Sequence, residues 1–136
     1  MQFLKQHNKA IYLMVIIGVC LMAFVGCKEE PKRGEGKSVE VEEFALEIAK
    51  PEMQLVDVRS KGEFNSGHIK GAMNLDALLV AFPKLVADSL DKNRPVALYC
   101  RSGRRSKKAM EVLVQQGFTV VELNRGILSW TGELEK

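Results

Sequence analysis

The sequence predicts an α/β fold, a five-stranded parallel sheet flanked by helices, and three observations carry that expectation. From Val39 onward, short apolar runs alternate with stretches of helical periodicity, which is the pattern of strands joined by crossover helices rather than of a bundle or a sandwich. One run, Pro95-Val96-Ala97-Leu98-Tyr99, is apolar without interruption, as a strand covered on both faces should be. With 136 residues, 46% hydrophobic and 27% charged, the chain holds one compact domain and a short appendage. Two independent domains, disorder and a disulfide mini-scaffold are excluded. The formal net charge of +3 is too small for the basic footprint of a nucleic-acid binder.

The appendage comes first. Lys5 and Lys9 precede an uncharged run from Ala10 to Val25, the n-region and h-region of a signal peptide over residues 1–26. Phe24-Val25-Gly26-Cys27 resembles a bacterial lipobox, with Phe24 departing from the usual aliphatic residue. The expectation is therefore cleavage before Cys27, lipidation of its thiol and attachment of the domain to a membrane of the bacterial cell envelope. The alternative is a retained N-terminal membrane helix; both place the rest outside the cytoplasm. Lys28 rather than Asp after the lipidated Cys points to the outer membrane. Residues 27–37 mix Pro, Gly and both charges without a large apolar side chain, as a flexible tether does, and the domain is expected over residues 38–136. Removal of the signal segment takes Cys20 with it. Lipidation of Cys27 then leaves Cys100 without a disulfide partner.

Within the domain, a short strand near Val39–Val41 leads into a helix with Phe44, Ala45 and Ile48 on one face, ended by Pro51. Leu55–Val58 reads as the next strand. Ser60 followed by Glu63 is a capping-box pattern for a short helix that stops at Ser66-Gly67. Ala72–Leu75 is a third strand, and Asp76–Leu90 is expected to hold two short helices split at Phe82-Pro83. The strand Pro95–Tyr99 delivers Cys100 to its carboxyl end, where open α/β sheets bind ligands. A helix from Arg104 to Gln116 follows, stopped by Gly117. Thr119–Leu123 is the last strand before a short helix at Ile127–Trp130.

The chemistry concentrates in Cys100-Arg101-Ser102-Gly103-Arg104-Arg105-Ser106. A thiol between a buried strand and a helix N-terminus meets free backbone N–H groups and guanidinium charges, both of which favour thiolate. The same loop is an anion cradle, with Gly103 allowing a tight turn and close backbone approach. A bland reading, in which Cys100 is a small hydrophobe and the arginines solvate a loop, leaves this clustering unexplained. Cys100 is thus the candidate nucleophile. Arg101, Ser102, Gly103, Arg104, Arg105 and Ser106 are candidates for substrate binding.

These residues resemble the rhodanese family, single-domain sulfurtransferases whose active loop begins with the catalytic Cys and runs six residues into a helix, here Cys100 to Arg105. Leu55-Val56-Asp57-Val58-Arg59, Glu63-Phe64 and Gly67-His68-Ile69-Lys70-Gly71-Ala72-Met73-Asn74 look like the family's first signature. Gly117-Phe118 and the Leu123–Trp130 segment look like its C-terminal pattern. The resemblance implies transfer of a sulfane sulfur, from a donor such as thiosulfate, through a Cys100 persulfide to cyanide or a thiol. It implies no metal and no organic cofactor, and a small anionic donor and a thiol or protein acceptor as partners. In this motif Asp57, Arg59, Gly67, His68 and Gly71 are structural: Asp57 and Arg59 tie loops by ion pairs, and His68 bonds the turn after the short helix. Glu63 and Ser102 stand where some thiosulfate-specialised members carry cations, and Asn124-Arg125-Gly126 replaces paired glycines. Two other functions compete. One is a persulfide-carrying or partner-binding module without small-molecule turnover. The other is a Cys-based phosphatase or arsenate reductase, whose loop would place its clamping Arg at position 106, where this chain has Ser.

Overall fold

The computed structural model describes residues 34–136; the signal segment, Cys27 and the first part of the tether lie outside the described residues. Five strands, β1 (Gly36–Val39), β2 (Gln54–Asp57), β4 (Met73–Asn74), β5 (Val96–Tyr99) and β6 (Val120–Leu123), form one sheet in the order β1-β6-β5-β2-β4. Every pairing in it is parallel. Helices α1 (Val41–Ile48), α2 (Lys61–Ser66), α3 (Phe82–Ser89) and α4 (Arg104–Gln115) connect the strands, and a 3-10 turn occupies Gly126–Ser129. Two residues of β3 (His68–Ile69) pair antiparallel with β7 (Leu134–Glu135) as a separate ribbon.

Burial follows the pleat. Along β5, Val96 and Leu98, with Cys100 beyond them, join the core layer that contains Phe82, Val86, Ala109 and Leu113 of α3 and α4. Ala97 and Tyr99 face the opposite layer, with Phe44 of α1, Val121 and Leu123. All four residues of β5 are buried, because side chains alternate between two covered faces. The consequence for function is directional: Cys100 continues the Val96–Leu98 side, the side covered by α4, so its sulfur lies beneath that helix's first turn.

Three local expectations change. The first strand runs Gly36–Val39, earlier than Val39–Val41, and Val41 opens α1. Its first three residues are exposed, so backbone pairing with β6 defines it, and hydropathy carries no trace of that. Only one helix forms between Asp76 and Leu90. The Leu78 N–H donates to the Asp76 carboxylate at 2.9 Å and the Phe82 N–H to the Leu79 carbonyl at 2.9 Å, a run of turns that satisfies the backbone without a helix. Pro83 then sits in the first turn of α3, where its missing N–H is harmless. Finally, Leu134–Glu135, expected to carry no element, closes the ribbon with β3.

Candidate active site

The loop after β5 is pinned from behind. Ile127 N–H donates to the Cys100 carbonyl at 2.9 Å and Leu128 N–H to the Arg101 carbonyl at 3.2 Å, so the 3-10 turn holds the loop's base. Gly126, at φ +61°, must be glycine on contact grounds too: a Cβ would stand 2.4 Å from the Arg101 carbonyl oxygen and 2.6 Å from that of Cys100. Gly103 adopts φ +94° at the N-cap of α4, and a Cβ there would meet the Asn124 carbonyl oxygen at 2.1 Å. The loop backbone is therefore packed against the segment after β6 and turned so that its amides point inward.

Those amides meet the thiol. Cys100 is 1% exposed, and its Sγ accepts the Gly103 N–H at 3.1 Å with the Ser106 hydroxyl at 3.4 Å. Burial pushes the thiol up, but hydrogen bonds from the Ser106 hydroxyl and from the N–H groups of Ser106, Ser102 and Gly103 outweigh it and hold Cys100 below the ordinary thiol range. Donors aimed at sulfur favour the charged form. The arrangement can make a thiolate and receive an anion above it.

The arginines divide. Arg105 forms a two-pronged pair with Glu63, Nη1 to Oε2 at 2.7 Å and Nη2 to Oε1 at 2.8 Å. Arg101 and Arg104 are exposed and have no carboxylate partner among the described residues. Glu63 has a second task, since its carboxylate accepts the Ser60 N–H at 3.1 Å while the Ser60 hydroxyl caps the Glu63 N–H at 3.3 Å, the reciprocal capping box read from the sequence. The Arg105 bond holds the Glu63 carboxyl at about 2, against the opposing effect of burial, with Ser60 adding to it. This ties the N-terminus of α2 to the first turn of α4 across the site. Beside the loop opens a groove of about 490 Å³ whose wall includes Leu78, Phe82 and Val112 and whose cations are Arg101, Arg104, Arg105 and Lys108. Leu78, Leu79 and Val80 are exposed next to it.

The remaining motif residues brace the adjacent strand end. Asp57 receives Arg59 Nη2 at 2.7 Å, Nε at 3.0 Å and the Arg59 N–H at 2.9 Å, and Arg59 Nη2 also donates to the Gly67 carbonyl at 2.7 Å. Both side chains are buried. The His68 ring stacks on Phe64 with centroids 3.7 Å apart; Nδ1 lies 3.0 Å from the Phe64 carbonyl and Nε2 3.5 Å from Glu135. Neither nitrogen faces Cys100. Gly71 N–H donates to Glu135 at 2.8 Å, so Gly71, His68 and Gly67 belong to the ribbon and its turn. Among the described residues no group of His, Cys, Asp and Glu has the geometry to hold a metal ion.

Sequence reasoning overlooked one residue. Glu122 of β6 is 0% exposed, with Oε1 2.5 Å from Ser106 Oγ and Oε2 2.6 Å from Ser38 Oγ. Its signal was present in the chain: a carboxylate inside Val120-Val121-Glu122-Leu123, a strand apolar on both faces, has to be paired in the interior.

A buried thiol at the carboxyl end of the central strand of a five-stranded parallel sheet, cradled by the start of the next helix, defines a class of Cys-loop α/β proteins. Comparison with known proteins places the chain within it: the model of the rhodanese-like domain matches residues 40–133, and the chain belongs to the rhodanese-like family. It is 39% identical over 77 residues to a sulfurtransferase of Allochromatium vinosum, covering 56% of this chain and 69% of that one. It is 36% identical over 109 residues to a tRNA uridine(34) hydroxylase of Picosynechococcus, covering 77% of this chain but only 37% of the hydroxylase. Among solved structures, a rhodanese-like domain protein from Staphylococcus aureus superposes with a TM-score of 0.64 at 31% identity, over 73% of this chain and 96% of that one. A structure described as rhodanese with anions from E. coli gives 0.54 at 32% identity, over 62% and 98%.

Proposed function

We propose that the chain is a sulfurtransferase that carries a sulfane sulfur on Cys100. The observation that carries this reading is the buried Cys100 sulfur receiving inward-pointing hydrogen-bond donors from a loop whose Arg101, Ser102, Arg104 and Arg105 line a cationic groove. The thiolate attacks the outer sulfur of an anionic donor such as thiosulfate; the S–S bond within the donor breaks, its electron pair leaves with sulfite, and Cys100 becomes a persulfide whose charge rests on the outer sulfur. An acceptor then attacks that outer sulfur. With cyanide, thiocyanate departs and the Cys100 thiolate returns, so atoms and charge balance over the cycle.

The loop's N–H groups stabilise the anionic sulfur in both states. Arg101 and Arg104, free of carboxylate partners among the described residues, attract the donor and the departing sulfite, while Arg105 is held by Glu63 and contributes mainly by fixing the loop. The short loop supports sulfur over phosphate chemistry: the sixth residue after Cys100 is Ser106, turned inward onto the sulfur, so no guanidinium clamps an oxyanion from that position. The exposed Leu78–Val80 lip supports a second reading for the acceptor, a bulky or protein-borne thiol that rests on it.

Steady-state thiocyanate formation tests the reading. Thiosulfate or another sulfane donor should give turnover with the wild type and none with folded Cys100→Ser; activity retained in that variant contradicts the mechanism. Rapid persulfide formation with slow release to every small acceptor would favour a dedicated protein acceptor. For location, we propose a lipid anchor at Cys27. Labelled fatty acid should enter the wild type and not Cys27→Ala, and labelling of both would refute it.

A further inference from the structure

Ser106 has one hydroxyl proton and two acceptors. Its Oγ lies 3.4 Å from Cys100 Sγ and 2.5 Å from Glu122 Oε1, and a hydroxyl donates only once. The other groups around Glu122 do not remove this conflict. Ser38, its register partner on β1, gives its own proton to Oε2 at 2.6 Å. Lys107 of α4 stands 3.8 Å from Oε2 while its Nζ donates to Asn124 at 2.8 and 3.1 Å. On the sulfur side, the nearby charge is Arg105, already paired with Glu63.

The fold makes this chain of contacts deliberate in its geometry. Register pairs Leu98 of β5 with Glu122 of β6, and Glu122 with Ser38 of β1. Leu98 and Cys100 are on the same side of β5, the α4 side, and Ser106 occupies the first turn of α4 directly over them. Parity along three parallel strands and the start of one helix therefore aligns exposed Ser38 with buried Glu122, Ser106 and Cys100. Two negative charges at the ends of a segment this short, out of water, oppose each other strongly.

We propose that Glu122 is a positioning residue for the Cys100 thiol, exchanging one proton with it through Ser106. With Glu122 ionised, Ser106 donates to the carboxylate and turns a lone pair to the sulfur, which suits the thiol. In the step to the reactive form, the Cys100 proton passes to Ser106 Oγ as the Ser106 proton passes to Glu122 Oε1. One S–H bond breaks, one carboxyl O–H bond forms, the negative charge moves from carboxylate to sulfur, and Ser106 then donates to the thiolate. Net charge inside the protein is unchanged, so the thiol is activated without releasing a proton to water. The inference rests on Cys100 being the nucleophile of the proposed reaction.

The test reads ionisation rather than sulfur transfer, so failure of one is distinguishable from failure of the other. Alkylation of the full chain by neutral iodoacetamide, in mild detergent, is followed at the Cys100 peptide by mass spectrometry across pH. Because two coupled groups lose protons in two macroscopic steps, the wild-type rate should rise in two steps. Glu122→Gln removes the charge, and its amide N–H donates to Ser106, so the rise becomes a single step displaced to lower pH. Displacement from the upper wild-type step should make alkylation about tenfold faster one pH unit below that step. Ser106→Ala removes the hydroxyl link and leaves only the repulsion through space, so in its background Glu122→Gln should displace the curve by clearly less than it does in the wild type. Overlapping curves for wild type and Glu122→Gln would overturn the coupling. A Glu122→Gln effect of full size in the Ser106→Ala background would overturn the route through Ser106. Should Glu122→Gln fail to fold, a Ser106→Ala curve that overlaps the wild type overturns the proposal by itself.

Discussion

Adjacent parallel strands β2 and β5 end at the same edge of the sheet, and their ends use similar residues to opposite effect. After β2, Asp57 and Arg59 close on each other within 2.7 Å in the interior, with the Gly67 carbonyl taking a further guanidinium proton. Every charge there meets its partner. After β5, the loop keeps two cations exposed, locks a third to Glu63 from another element, and points N–H donors at a single sulfur. The difference teaches that an Arg beside a strand end acquires its role from what satisfies it. A partner two residues away makes it a brace; left unpaired beside the thiol loop, it is free for the binding role proposed for Arg101 and Arg104.

The largest effect expected from this contrast is on activity at β5. Cys100→Ser should lower sulfur transfer at least about a thousandfold while leaving the thermal midpoint close to wild type, as calorimetry beside the thiocyanate assay will show. At β2 the pattern should invert. Asp57→Ala strands the Arg59 charge in the interior and should cost about 3 kcal/mol of stability in urea unfolding, yet the molecules that remain folded should still load sulfur. Equal losses of activity per folded molecule in both variants would erase the distinction between the two strand ends.

Smaller effects sharpen it. Arg101→Ala and Arg104→Ala should raise KM for an anionic donor by roughly fivefold, about 1 kcal/mol, with much less change for a neutral donor; equal changes would count against recognition by charge. The smallest belongs to Glu63. Its carboxyl sits at about 2 in the folded chain because of Arg105, below the unfolded value of about 4.3, so its stabilising contribution is full above that value and is lost as pH falls through about 2. The pair is part-exposed, which limits the contribution to about 1 kcal/mol. Acid unfolding of Glu63→Gln should lack that part of the slope between about pH 4 and 2, and an unchanged slope would show that the pair does not stabilise the fold.

Much of this was legible in the chain. Strand existence followed from apolar runs, with β2, β5 and β6 placed to within a residue, and the Ser60–Glu63 capping box was visible because both of its hydrogen bonds are local. What escaped was nonlocal or weakly patterned. β1 is defined by pairing with β6 while exposing three of its four residues, and the β3–β7 ribbon joins two-residue segments separated by more than sixty positions. At the site, the run of arginines announced an anion cradle but could not tell Arg105 from its neighbours, since its partner Glu63 comes from a different element. Ser106 was expected to bind substrate, yet its hydroxyl faces inward to Cys100 and Glu122. Glu122, inside a hydrophobic strand, was the sign of a buried polar contact, and its partner Ser106 comes from a different element.

The central claim is that Cys100 carries the sulfur, and intact-mass measurement of the full chain after exposure to thiosulfate or another sulfane donor tests it most directly. The account predicts a gain of one sulfur atom at Cys100, absent from Cys100→Ser and discharged as thiocyanate on adding cyanide. A reduced, folded protein that gains no sulfur from any donor, or gains it equally in Cys100→Ser, would contradict it.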